Sequence, residues 1–163
     1  MCVYWRDGGI IPSEAEYVDA VANKVSSVWR VGVRLMMGVA GGDIDLVPLA
    51  DVVALTVKFK EDYESLVNEE GEGTELELGP VNLPVLHAAG CESSAAREIV
   101  VLMGARDLEM ASRKRVLELM RDVTGSLAYT ERRLGALRKR AVGIVRGFGA
   151  EGEMMRWWLD GLR

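Results

Sequence analysis

The residues best suited to meet a partner are the cations of one stretch, TERRLGALRKRAVGIVRGFGAEG, from Thr130 to Gly152. Wound as a helix, Leu134, Leu137, Ala141, Ile144, Val145 and Phe148 cover one arc. Arg132, Arg133, Lys139, Arg140 and Arg146 cover the opposite one, with Arg138 at the border. A row of cations can track a phosphate backbone, releasing a counterion for each phosphate neutralised. The segment SRKR just before adds Arg113, Lys114 and Arg115. The competing reading is a solvated face that pairs with acidic residues elsewhere in the chain. No helix-turn-helix, RNP, KH or finger signature is present, so contact would be with the backbone and not with base edges.

Other chemistry-bearing residues form weaker patterns. Gly147, Gly149 and Gly152 match G-x-G-x-x-G, but that motif needs a strand before it and a helix after it to hold a pyrophosphate. Here a helix precedes it, so the glycines read as helix punctuation and no nucleotide cofactor is expected. His87 is the single histidine, close to Cys91, and no orienting Asn or Asp is indicated, so a role-free loop histidine is expected. Asp43 with Asp45, and the run Glu69, Glu70, Glu72, Glu75 and Glu77, are acidic enough to invite a divalent cation. Capping explains the aspartates and solvation the glutamates, so no metal site is expected. In Trp157-Trp158, adjacent helical positions point about 100° apart. If Trp158 packs inside, Trp157 is left exposed as a protein-interface anchor; if the terminal helix is wedged between two others, both are buried.

These residues must be carried by helices. Ser13 and Glu16 form a capping box, and the helix it opens runs to about Ala40, where Gly41-Gly42 stops it. Val18, Val21, Ala22, Val25, Val28, Trp29, Gly32, Met36 and Val39 share its apolar face. Pro48 opens a second helix with Leu49, Val52, Val53, Thr56, Phe59, Tyr63, Leu66 and Val67 on one side, ending near Glu70. Thr74 to Leu78 alternates as a strand does, Gly79-Pro80 turns, and VNLPVL is the return strand of a short hairpin. Helices resume at Ser93, run to Gly104, continue through MASRKRVLELM to an interruption at Gly125 or Ser126, and restart around Thr130. A final short helix carries Met155, Trp158, Leu159 and Leu162. The expected fold is all-α: an irregular bundle of about five helices with a β-hairpin near 74–86, in a single domain over 1–163.

The 163 residues are 49% hydrophobic and 28% charged, ordinary for a globular chain. Glutamine is absent and asparagine is limited to Asn23, Asn68 and Asn82, a thermophile-like composition that a GC-rich genome would also produce. Cys2 and Cys91 have no paired spacing, the N-terminus lacks a signal-peptide pattern, and Arg34 interrupts the longest apolar run. A cytoplasmic protein without membrane contact is expected. Residues 1–96 carry 6 Lys/Arg against 16 Asp/Glu, and residues 97–163 carry 14 against 9. That split, the basic arc and the lack of a catalytic constellation together point to a non-catalytic subunit of a nucleoprotein assembly, bound to nucleic-acid backbone and to other protein subunits. The alternative is a protein-only adaptor or homo-oligomeric scaffold in which acidic and basic halves pair.

Overall fold

The computed structural model describes residues 10–41, 44–67, 81–103 and 110–148. All the regular structure among them is helical, in six helices. Helix α1 covers 14–40 and consists of Glu14–Val21, a π-helical turn Ala22–Ser26, and Ser27–Ala40. It is followed by α2 (Val47–Val67), α3 (Leu83–Ala89), α4 (Ser94–Met103), α5 (Met110–Glu118 continuing as a π-helical turn Leu119–Val123) and α6 (Ser126–Arg146).

Local chemistry sets these boundaries. The Ser13 hydroxyl accepts from the Glu16 N–H at 3.2 Å, and the Glu16 carboxylate accepts from the Ser13 N–H at 2.8 Å, closing the capping box at the head of α1. The hydrogen bond from the Ser13 backbone, then that from its hydroxyl, holds the Glu16 carboxyl below its ordinary pKa. At the other end Gly41 takes a left-handed φ of 65° and its N–H reaches the Met37 carbonyl at 3.0 Å. Asp45 accepts from the Val47 N–H at 3.0 Å to open α2, so capping is what this aspartate does. Gly125, at φ 63°, separates α5 from α6, which therefore starts a turn earlier than Thr130.

The expected hairpin is corrected. Its return strand, VNLPVL, lies at the start of α3: Asn82 is the N-cap, its side-chain carbonyl accepting from Val85 N–H at 3.0 Å, and Pro84 occupies the first turn. Proline lacks the N–H that a first-turn residue would leave unused, and the short apolar run Leu83–Leu86 is too brief for periodicity to separate strand from buried helix. The other half of that hairpin, and the terminal helix with Trp157, lie outside the described residues.

The chain resolves into two compact units, one formed by 1–18 and 59–132, the other by 19–58 and 133–163. In the first, Leu66, Val85, Ala88, Ile99, Met103, Val116, Met120 and Leu127 make a continuous buried cluster from α2 to α6. In the second, Val52 and Val53 of α2 pack on Ala141 and Val145 of α6, flanked by Leu49, Val57, Leu137 and Phe148. Arg30 of α1 adds a two-pronged pair with Asp51 of α2, Nε to Oδ1 at 2.6 Å and Nη2 to Oδ2 at 3.0 Å.

Candidate functional site

The first unit holds a buried polar seam. On α2, Phe59, Asp62 and Leu66 lie on one side at helical spacing, and all three are buried, Asp62 with 3% exposure. A carboxylate there must be satisfied, because desolvating an unpaired charge costs several kcal/mol or more. The Tyr17 hydroxyl donates to Asp62 Oδ2 at 2.5 Å, and the Leu83 N–H at the head of α3 donates to the same oxygen at 3.0 Å. The Tyr17 ring lies near-parallel to Phe59, centroids 6.4 Å apart. Asp62 thus joins α1, α2 and α3, with its charge at the positive end of α3.

One turn along α3, His87 Nδ1 lies 3.0 Å from Ser126 Oγ. Its ring stacks on Tyr129 with centroids 4.0 Å apart, and the Tyr129 hydroxyl donates to Glu14 at 2.5 Å. The Arg132 guanidinium lies 6.0 Å from the Tyr129 ring centre. Burial, opposed by Glu14 and reinforced by Arg132, lowers the His87 pKa, so the neutral imidazole prevails at neutral pH. The His–Ser pair is not a nucleophilic dyad. Ser126 has no exposed surface and its Oγ also lies 2.7 Å from Thr124 Oγ1, so a substrate cannot reach it. At the edge of the seam the Tyr63 hydroxyl donates to Glu131 at 2.6 Å, and that bond, with burial, pushes the phenol up to about 12.

Among the described residues no group of three or more His, Cys, Asp or Glu is placed to hold a metal ion. Beside α4 lies a hollow of about 600 Å³, open to solvent and lined by Cys91, Ser93, Ala96, Arg97 and Val100.

The chain is similar to geranylgeranyl pyrophosphate synthases. One from Aspergillus versicolor is 31% identical over 160 residues, which cover 92% of this chain and 42% of the synthase. Another, from Aspergillus fumigatus, is 28% identical over 166 residues, 99% of this chain and 44% of the synthase. An IDS-like terpene synthase of Melampsora lini is 26% identical over 158 residues, 93% of this chain and 48% of its own length. The chain thus spans less than half the length of these relatives. No protein-family model matches it.

This similarity overturns the expected function. Each of these relatives bears an enzyme's name and two are named for an isoprenoid diphosphate, so the non-catalytic nucleoprotein subunit, the protein-only scaffold and the nucleic-acid partner all give way. The cations that suggested nucleic acid are dispersed in their local roles. Arg113 donates to the Ser65 carbonyl at 3.0 Å and the Leu66 carbonyl at 3.5 Å, closing the end of α2. Arg115 pairs with Glu98 of α4, Nε to Oε1 at 2.9 Å. Lys114, Arg132, Lys139, Arg140 and Arg146 are exposed, and Arg133 is half-buried. Lys139, Arg140 and Arg146 lie on the outer side of α6, opposite buried Ala141 and Val145. The helix ends at Arg146, with Gly147 N–H bonded back to the Ile144 carbonyl at 3.0 Å, so a helix does precede the glycine motif; Gly149 and Gly152 lie outside the described residues.

His87 is corrected from loop to helix. Asp62 was missed, although its signal was available: a carboxylate between Phe59 and Leu66, inside an apolar stripe, must be either an error of pattern or a buried, paired acid. Asp43 and the glutamates from 69 to 77 lie outside the described residues. No described helix is long and apolar enough to cross a membrane.

Proposed function

We propose that this chain is part of an enzyme acting on isoprenoid diphosphates, of the geranylgeranyl pyrophosphate synthase type. The observation that carries this reading is the 31% identity with the Aspergillus versicolor synthase across 92% of the chain. The helical architecture is consistent with it: such a substrate joins a long apolar tail to a charged head, and helices supply apolar walls with fixed polar groups between them. The seam of buried Asp62 and Tyr17 with half-buried His87 and Tyr129 is the scaffold of that region, tying together α1, α2, α3 and α6. Two cysteines without paired spacing fit a reducing compartment, and we place the protein in the cytoplasm.

Calorimetric titration of the full chain with geranylgeranyl pyrophosphate tests the proposal. Inorganic pyrophosphate and geranylgeraniol serve as controls. Saturable binding of the whole molecule, much tighter than of either part, is expected. Absence of binding to all three overturns it.

A further inference from the structure

The segment Ser27–Ala40 of α1 has no buried side chain. Its exposed residues are nevertheless apolar: Val28 is 71% exposed, Val31 60%, Leu35 67%, Met36 60% and Val39 92%. At about 100° per residue they fall with Gly32 into one stripe along the helix. The other side carries Arg30, Val33 and Met37, which are half-buried, and Arg30 forks onto Asp51. The helix therefore meets its own unit through Arg30, Val33 and Met37 and turns its apolar stripe away. A Cβ built on Gly32 would find nothing within 4 Å, so a second backbone can approach closely there. Apolar side chains scattered singly need no explanation, but a continuous stripe marks a contact.

Three occupants are conceivable, and the dimensions separate them. A membrane-lying helix needs several cations on its polar side, and this segment has Arg30, already paired with Asp51, and Arg34. A second copy alone would bury one helix face about 20 Å long and about 10 Å wide, well short of the roughly 800 Å² per partner of a stable interface. A face of that size suits one helix seated inside a larger fold. The relatives provide the larger fold, since more than half of each has no counterpart in this chain.

We propose that the stripe formed by Val28, Val31, Leu35 and Val39 is the seat of an apolar helix from polypeptide equivalent to the part of a synthase that this chain does not span. The helix packs closest at Gly32, and the polypeptide is either joined to the chain or supplied separately. The proposal rests on the synthase reading above.

The test mixes the full chain with separately purified polypeptide equivalent to the unmatched part of the Aspergillus versicolor synthase. Complex formation is read by light scattering, and turnover of prenyl diphosphates in parallel. A one-to-one complex is expected, weakened at least 100-fold by Val31→Lys with Leu35→Lys and unchanged by the exposed control Lys114→Glu. Equal affinity for the double variant overturns the proposal. So does a self-dimer that this variant dissociates, or binding to anionic vesicles in place of the polypeptide. A face-dependent complex without turnover leaves the docking proposal standing and removes the synthase reading. Turnover that survives the double variant does the reverse. If the two polypeptides do not associate when mixed, the same pair joined by a flexible linker is labelled with maleimide at Leu35→Cys. Labelling at least 10-fold slower than in the chain alone is expected, and an unchanged rate overturns the proposal.

Discussion

At the scale of single residues, Asp62 is the group on which most depends. One oxygen accepts both the Tyr17 hydroxyl and the Leu83 N–H in a site with 3% exposure. Asp62→Ala would remove the acceptor that both donors share and is expected to cost about 3 kcal/mol, whereas Asp62→Asn keeps an acceptor and should cost about half as much. Urea unfolding of the two variants checks the order, and equal losses would mean that the carboxylate is not acting as the shared acceptor. Tyr63 makes a pH-dependent contribution of known sign. Its phenol is raised from 10.0 to about 12, so the protonated form is favoured in the folded protein. The stabilisation is full below pH 10.0 and is lost as pH rises toward 12. Tyrosinate absorbance should contain a component titrating near pH 12 that Tyr63→Phe removes. Tyr63 is partly exposed, so the loss of stability at neutral pH should be small.

At the scale of elements, α3 is the one that sequence reading mistook. Its seven residues cannot express a helical period, and Pro84 looked like a strand terminator when it is a first-turn residue. The informative residue was Asn82, whose cap to Val85 fixes the start of the helix. Asn82→Ala is expected to lower stability by about 1 kcal/mol, read as a reduced urea midpoint with an unchanged slope. The long helices were legible because their signals were redundant. Ser13 with Glu16 announced α1, Gly41 ended it, and Phe59, Tyr63 and Leu66 repeated at helical spacing. The start of α6 was read late because Thr130 looks like a cap. Its hydroxyl instead bonds back to the Ser126 carbonyl at 3.0 Å, inside the helix.

At the scale of the whole molecule, periodicity identified apolar faces without naming what covers them. Val28, Met36 and Val39 were read on the same face as Val21, yet Val21 is buried and they are exposed. The basic arc carried the same ambiguity, since alternation of charge and apolarity fixes which side of α6 faces water but says nothing of a partner. The polar seam was illegible for a related reason: its residues come from α1, α2, α3 and α6, and no short window of sequence contains them. The bare face of α1 has a consequence for the isolated chain. Val31→Lys with Leu35→Lys should change its stability by no more than about 0.5 kcal/mol, because neither side chain is buried, and should raise its solubility. Thermal melting and the concentration at which the protein precipitates measure the two effects.

The π-helical turn Ala22–Ser26 gives that face its heading. Such a turn holds about one residue more than an α-helical path of the same length. Deleting one residue there would restore ordinary winding and leave the stripe at nearly the same angle to Ala20 and Val21, whereas winding the same residues as an unbroken α-helix would swing it by about 90°. The heading of the apolar side is therefore set by the wide winding of this turn, and a substitution that tightened it to an ordinary α-helical turn would re-aim the stripe while every side chain along it stayed the same.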